Sequence, residues 1–405
     1  MNATTSAGQR ANSRNALIAG FLGWTLDAFD FFILTFVLTT VGAEFHRSIE
    51  DMALTLTASL LMRPVGAFLF GLMADRYGRR LPLMVDVVFY SVIEVLSGLA
   101  PSYRVFLILR LLYGIGMGGE WGVGASLAME SVPAKWRGVL SGVLQEGYAL
   151  GYLLAALAFW TVFPHWGWRP MFFLGGLPAL LTLFIRAKVK ESDAWKATAL
   201  KTDWGAYFRA VAANWKRFLY LVLLMAMMNF ASHGTQDFYP TFLQQQLHFS
   251  TRATAIVTVI SMLGAILGGI VVGLCSDRFG RRRAMVASVL LALLLIPLWT
   301  FAPRNVGFLA TGAFLMQFMV QGAWGVIPAH INELSPGALR GFFPGFAYQL
   351  GVLLAASTPY IQALMTRHFT YAQSMGMFAA AVFAIGAVVI AAGPEAHRVS
   401  FGPDA

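Results

Sequence analysis

The chain has 405 residues, 58% of them hydrophobic and only 12% charged, with 40 glycines, 33 phenylalanines and a formal charge of +10. A soluble domain carries about 25% charged residues, so this composition lacks the polar surface of a water-soluble enzyme and excludes one. The single cysteine, Cys275, excludes an intramolecular disulfide scaffold, and no P-loop, H-E-x-x-H or G-x-S-x-G run is present to serve a motor, a metalloprotease or a hydrolase.

Residues 1–15 are polar and lack the apolar stretch of a signal peptide, so they read as a disordered tail. Beyond them, apolar blocks long enough to cross a hydrocarbon layer of about 30 Å at about 1.5 Å per residue predict an all-α membrane protein. Twelve spans are expected, at 16–41, 52–73, 81–100, 104–131, 138–162, 169–187, 217–244, 252–275, 284–302, 305–334, 341–366 and 371–393. The long connection, 188–216, sets Trp195, Trp204 and Trp215 among Lys188, Lys190, Glu191, Asp193, Lys196, Lys201, Asp203, Arg209 and Lys216. That mixture fits either a helix in the headgroup layer or a solvated linker. It divides the chain into a six-helix bundle over 16–187 and another over 217–393, with 394–405 as a second tail.

Both tails are placed in the cytoplasm. This puts 21 of the 29 Lys and Arg residues on that side, six on the other (Arg47, Arg104, Arg169, Arg252, Arg304 and Arg367) and two inside spans. The asymmetry follows the positive-inside rule of a plasma or inner membrane protein, and it explains the net charge without a nucleic-acid partner.

The two bundles repeat one another. Gly71-Leu-Met-Ala-Asp75-Arg76-Tyr-Gly78-Arg79-Arg80 follows span two, and Gly273-Leu-Cys-Ser-Asp277-Arg278-Phe-Gly280-Arg281-Arg282 follows span eight, 202 residues later. Trp121-Gly122, Glu130, Pro133 and Arg137-Gly138 recur as Trp324-Gly325, Glu333, Pro336 and Arg340-Gly341 at an offset of 203. A parallel repeat of this kind places a substrate site between its halves near mid-membrane. The doubled G-x-x-x-D-R-x-G-R-R loop resembles the signature of the major facilitator superfamily, which implies two pseudo-symmetric six-helix bundles working by rocker-type alternating access. Asp75, Arg76, Arg79, Arg80, Glu130 and Arg137 in one half, with Asp277, Arg278, Arg281, Glu333 and Arg340 in the other, are expected to form ion pairs that latch the cytoplasmic side, rather than serving only as topology determinants.

Charges inside a span are costly and mark function unless they serve packing. Asp27 and Asp30 in span one lie three residues apart on one helical face, where neighbouring carboxylates resist joint ionisation and suit a proton carrier. Glu120 in span four and Glu146 in span five are candidates for the same relay or for structural ion pairs, and Glu94 in span three reads as a packing partner. Arg63 and Arg110 are the basic groups within spans, and either can grip a carboxylate with paired hydrogen bonds or neutralise the nearby acids.

Span seven carries Asn229-Phe-Ala-Ser232-His233-Gly-Thr235-Gln236-Asp237-Phe-Tyr-Pro240-Thr241. So many polar groups in one span face water, substrate or another helix. The stretch is similar to N-x-x-[S/T]-H-x-[S/T]-Q-D-x-x-x-T of the Jen-type lactate and carboxylate permeases, in the sialate:proton symporter group. That resemblance implies proton-coupled uptake of monocarboxylates such as lactate or pyruvate, with His233, Gln236 and Asp237 functional. Gln317, Gln321, His330, Asn332, Tyr348 and Gln349 either complete the pocket or hydrogen-bond helices together. The expected partners are a small organic anion, a proton and membrane lipid, with no cofactor or metal and the chain a monomer. A sialate or other sugar-acid symporter is the alternative.

Overall fold

The computed structural model describes residues 7–198, 204–396 and 399–401, and every regular element among them is helical. In chain order the membrane helices are α1 (Ala7–Glu44), α2 (Ile49–Tyr77), α3 (Arg80–Gly98), α4 (Tyr103–Ser131), α5 (Arg137–Gln145, continued by Gly147–Thr161) and α6 (Arg169–Leu174 and Ala179–Lys188). The second half holds α7 (Trp215–Gln236, continued by Tyr239–Thr241), α8 (Thr251–Phe279), α9 (Arg281–Thr300), α10 (Val306–Leu334), α11 (Phe343–Ala355 and Thr358–Met365) and α12 (Tyr371–Ala392).

Ten of these helices are long and apolar enough to cross a membrane by composition alone. The other two fall short for physical reasons. In α4 the apolar run is interrupted by Arg104, Arg110, Glu120 and Glu130, and α11 is broken at Ala356–Ser357 into two pieces too short to span. A span tolerates such polarity when neighbouring helices bury it.

The tail is corrected over residues 7–15, which were expected to be disordered and instead form the first turns of α1. Their polar side chains find backbone partners. Asn12 Oδ1 accepts the Lys190 N–H (2.8 Å), Asn15 Nδ2 donates to the Lys188 carbonyl (3.0 Å) and Ser13 Oγ donates to the Ser131 carbonyl. Lys201, Asp203 and Arg398, which entered the charge reading, lie outside the described residues, as do 1–6 and 402–405.

Within each half the helices touch backbone to backbone at small residues. A Cβ on Gly66 of α2 would fall 1.7 Å from the Ile115 carbonyl oxygen of α4, and one on Gly264 of α8 would fall 2.2 Å from that of Phe314 in α10. The halves meet through α5 against α8 and α10, and through α2 and α4 against α11. Helices α2, α4, α8, α10 and α12 start on one face behind Ser48, Ser102, Ser250, Asn305 and Thr370, whose side chains accept the orphan N–H groups of the first turn. At the other face, which carries both termini, α3 and α9 are capped by carboxylates from a distance. Glu191 accepts the N–H groups of Arg79 and Arg80 (2.9 and 3.1 Å), and Glu395 accepts those of Arg281 and Arg282 (2.9 and 3.3 Å).

Candidate functional site

On the face carrying the termini, the repeated loops close the gap between the halves. Arg79 is fully buried and donates to Asp75 Oδ1 (2.8 Å) and Glu130 Oε1 (2.9 Å); in the second half Arg281 donates to Asp277 Oδ1 (2.7 Å) and Glu333 Oε2 (3.0 Å). Burial works against the Arg79 charge, but Glu130 and Asp75 more than offset this and raise its pKa, so it stays a cation. Two ion pairs then cross between halves, Arg137 to Glu333 (2.9 Å) and Arg340 to Glu130 (3.5 Å).

The aspartates cross as well. Asp75 Oδ1 accepts the Gly341 N–H (2.6 Å) and Oδ2 the Phe342 N–H (3.2 Å), just ahead of α11. Asp277 accepts the N–H groups of Gly138 (2.8 Å) and Val139 (2.9 Å) at the start of α5. The linker helix Trp204–Ala213 adds Tyr207, whose hydroxyl donates to Asp75 Oδ2 (2.9 Å), and Trp195 Nε1 donates to the Asp75 carbonyl (2.8 Å).

Arg80 and Arg278 of the doubled loop do not join this network, contrary to expectation. Arg76 lies over the Trp204 ring at 5.1 Å, and Arg80 reaches the Arg186 carbonyl rather than an acid. Arg278 has no ion-pair partner among the described residues. In G-x-x-x-D-R-x-G-R-R, the Asp and the first Arg of the closing pair are i,i+4 neighbours and share a face.

Beyond this network, aromatic rings from both halves meet. The Tyr348 centroid of α11 lies 4.5 Å from that of Trp121 in α4, 5.8 Å from Trp324 in α10 and 6.4 Å from Trp24 in α1; Trp24 stacks on Tyr148 of α5 at 5.4 Å. Arg63 of α2 enters this cluster with its guanidinium carbon 5.8 Å from the Tyr348 ring. It is 5% exposed, and its Nε and Nη2 have no hydrogen-bond partner. A buried cation with free donors beside an aromatic floor is a ready acceptor of an anion.

The polar run of α7 forms one wall. It packs on α10 through Gln236 Nε2 to Gln317 Oε1 (2.8 Å), Gln317 Nε2 to Thr235 Oγ1 (3.0 Å) and Gln321 Nε2 to Ser232 Oγ (2.9 Å). His233 Nδ1 lies 3.2 Å from Asp237 Oδ2, with side chains 41% and 32% exposed, where α7 breaks ahead of Pro240. Asp237 lies within electrostatic range of Tyr148 of the first half. Asn229, in contrast, is buried and bonds the Met225 carbonyl of its own helix (2.8 Å). Gln349 is buried with its amide unpartnered, whereas His330 and Asn332 are buried in the last turns of α10, one turn or less from Glu333.

The remaining charges fill the core of the first half. Arg110 donates to Glu94 Oε1 (2.8 Å) and to Ser97 Oγ, stacked among Phe106, Tyr113 and Phe172. The structure does not bring it to the seam between halves: Glu94 and Ser97, both on α3, hold its Nη1 and Nη2 inside the first half. Asp27, Asp30 and Glu120 are fully buried with no hydrogen-bond partner for their carboxyl oxygens. A Cβ on Gly175 would fall 2.8 Å from Asp30 Oδ1 and one on Gly23 only 2.1 Å from Glu120 Oε1, so each carboxyl is seated in a notch that glycine leaves open. Glu146 is seated likewise, across the seam at Gly269.

Sequence reasoning missed Asp86 of α3, buried and unpartnered within electrostatic range of Glu120 and Asp27. It lies inside the expected span 81–100, one turn from its start, with no second charge beside it to single it out. It also missed the caps Glu191 and Glu395, whose spacing of 204 residues nearly matches that of the repeat.

A family model described as the Major Facilitator Superfamily matches residues 20–266 and 222–403. Over 382 residues the chain is 28% identical to a carboxylic acid transporter protein homolog of Saccharomyces cerevisiae, covering 88% of this chain but 62% of that one, less than two thirds of its length. It is 29% identical over 360 residues to the sialic acid transporter NanX of Escherichia coli, covering 88% of each. Among solved structures, the proton:xylose symporter XylE bound to 6-bromo-6-deoxy-D-glucose matches with a TM-score of 0.77 over 97% of this chain and 98% of that one, at 19% identity, a likeness of fold.

Proposed function

The chain belongs to the major facilitator superfamily, and we propose that it is a proton-coupled symporter of small monocarboxylates such as lactate or pyruvate. Arg63 carries this reading: a buried guanidinium with free donors at the seam of the two halves. The carboxylate relatives and the α7 motif support the same substrate class.

The positive-inside rule assigns the face with both termini to the cytoplasm. The closed latch then makes this an outward-facing arrangement, with His233 and Asp237 at the entrance. A carboxylate passing them reaches Arg63 and is held by paired N–H donors, while Tyr348 and Trp121 cover its apolar part. Asp27 shares the electrostatic field of Arg63. One cation neutralises one anion, so a substrate that takes Arg63 leaves Asp27 to carry a proton, and the two move together. Asp30, Glu120 and Glu146 are proposed as further stations, and Arg110 holds Glu94 in place. The neutral loaded seam then lets the halves rock, which breaks the cytoplasmic ion pairs.

A second reading is favoured by the width of aromatic and amide lining, Trp24, Tyr148, Tyr348, Gln317 and Gln321: a sialate or another sugar acid as the substrate. Uptake of radiolabelled L-lactate, and separately of radiolabelled sialate, into proteoliposomes under an inward proton gradient tests both. Gradient-driven lactate accumulation that Arg63→Ala abolishes supports the first reading. Uptake of sialate without lactate supports the second, and no uptake of either acid by folded protein removes both.

A further inference from the structure

The chain after α12 returns to the gate. Glu395 caps α9, and Arg282 Nη1 donates to the Gly393 carbonyl (2.9 Å), which pins the segment beneath the second half. The Val399 carbonyl then accepts from Arg137 Nη1 (2.8 Å), on the first half. Two residues on, the Phe401 ring centroid lies 3.8 Å from the guanidinium carbon of Arg137 and 3.8 Å from that of Arg340. These arginines carry the two ion pairs that cross between halves.

Two guanidiniums repel one another. An aromatic ring between them draws each toward its electron-rich face, at a distance well inside the 6 Å range of such contacts. The ring therefore bridges the seam where the halves must part. Opening pulls Arg137 from Glu333 and Arg340 from Glu130, so the cations separate and Phe401 keeps at most one of them.

We propose that Phe401 is a gate wedge, seated by the C-terminal segment between Arg137 and Arg340, and that it must leave before the face carrying the termini opens. The wedge requires alternating access but no particular substrate.

The test is maleimide alkylation in nanodiscs of one cysteine, Ala329→Cys in a Cys275→Ala background. Ala329 is buried, and its N–H donates to Ser141 Oγ of the opposite half (2.9 Å), so its labelling reports parting of the seam. Phe401→Ala and Phe401→Leu are expected to label about five- to thirtyfold faster than the parent, and Phe401→Trp, which keeps a cation-binding face, at the parent rate. Parent rates in the Ala variant overturn the wedge, and parent rates in the Leu variant overturn its cation–π basis. Hydrogen exchange at Gly138 and Val139, held by Asp277, provides the same comparison without the reporter cysteine. Faster exchange confined to these amides and to Gly341 and Phe342 supports the wedge; unchanged exchange overturns it. Since no readout involves transport, failure of the monocarboxylate assignment leaves this result standing.

Discussion

Asp75 of α2 and Asp277 of α8 stand at equivalent places in the two halves, and each accepts the backbone N–H groups at the start of a helix in the other half. A carboxylate there satisfies orphan donors and the positive end of a helix dipole at once. Asp75→Asn and Asp277→Asn keep the size and remove the charge. Hydrogen bonds to charged groups contribute about 1.5–3 kcal/mol each, so either variant should lower the closed-to-open ratio by about tenfold or more. Labelling of Ala329→Cys measures it. An effect at one aspartate and none at the other would mean that the seam is held asymmetrically.

Arg63 and Arg110 should separate cleanly on substitution. Arg110→Ala strands Glu94 in the core of the first half, and breaking a buried pair this way costs about 3–5 kcal/mol, so thermal unfolding should drop sharply. Removing Glu94 as well should recover much of the loss. Arg63→Ala leaves no hydrogen-bonded acid behind and should preserve the unfolding midpoint while abolishing lactate binding. Quenching of tryptophan fluorescence provides that binding readout, since Trp24 and Trp121 lie beside Tyr348. Loss of fold in Arg63→Ala with retained binding in Arg110→Ala would reverse the two assignments.

Glycine substitutions should rank by what their new Cβ meets. Gly66→Ala drives a methyl into the Ile115 carbonyl, where only a shift of the whole helix relieves it, and should prevent assembly of α2 on α4. Gly23→Ala meets instead the end of the Glu120 side chain, which can rotate away. This variant should fold but transport poorly. Yield of monodisperse protein followed by initial uptake rates separates the two; equal damage from both would show that Glu120 has no freedom to move.

Much of this architecture is written locally. Apolar blocks, the doubled loop and the basic asymmetry need no tertiary knowledge, and the i,i+4 relation of Asp75 to Arg79 already predicts an ion pair on one face. What the sequence does not show is which partner each charge meets. Arg63 and Arg110 are equivalent as residues in spans, and only the helix packing that sets Glu94 against Arg110 frees one and occupies the other. The start of α1 lacks a local signal for the same reason, since Asn12, Ser13 and Asn15 find partners more than a hundred residues away. Phe401 carries no local signal at all, because its role depends on two arginines from opposite halves.

Asp27→Asn tests the proton arm independently of the substrate arm. The amide cannot take up and release a proton, but it fits the same buried place in α1. Counterflow, in which labelled and unlabelled lactate exchange with no net proton movement, should persist. Accumulation against a gradient should vanish, because nothing then links lactate to the proton force. In the parent, lowering the external pH should raise the initial uptake rate, since protonation accompanies loading; in Asp27→Asn the rate should be flat with pH. Retained accumulation would move the coupling role to Asp30, Glu120, Glu146 or Asp86, and the corresponding amide substitutions, measured in the same pair of assays, would then identify the carrier by which one splits counterflow from accumulation.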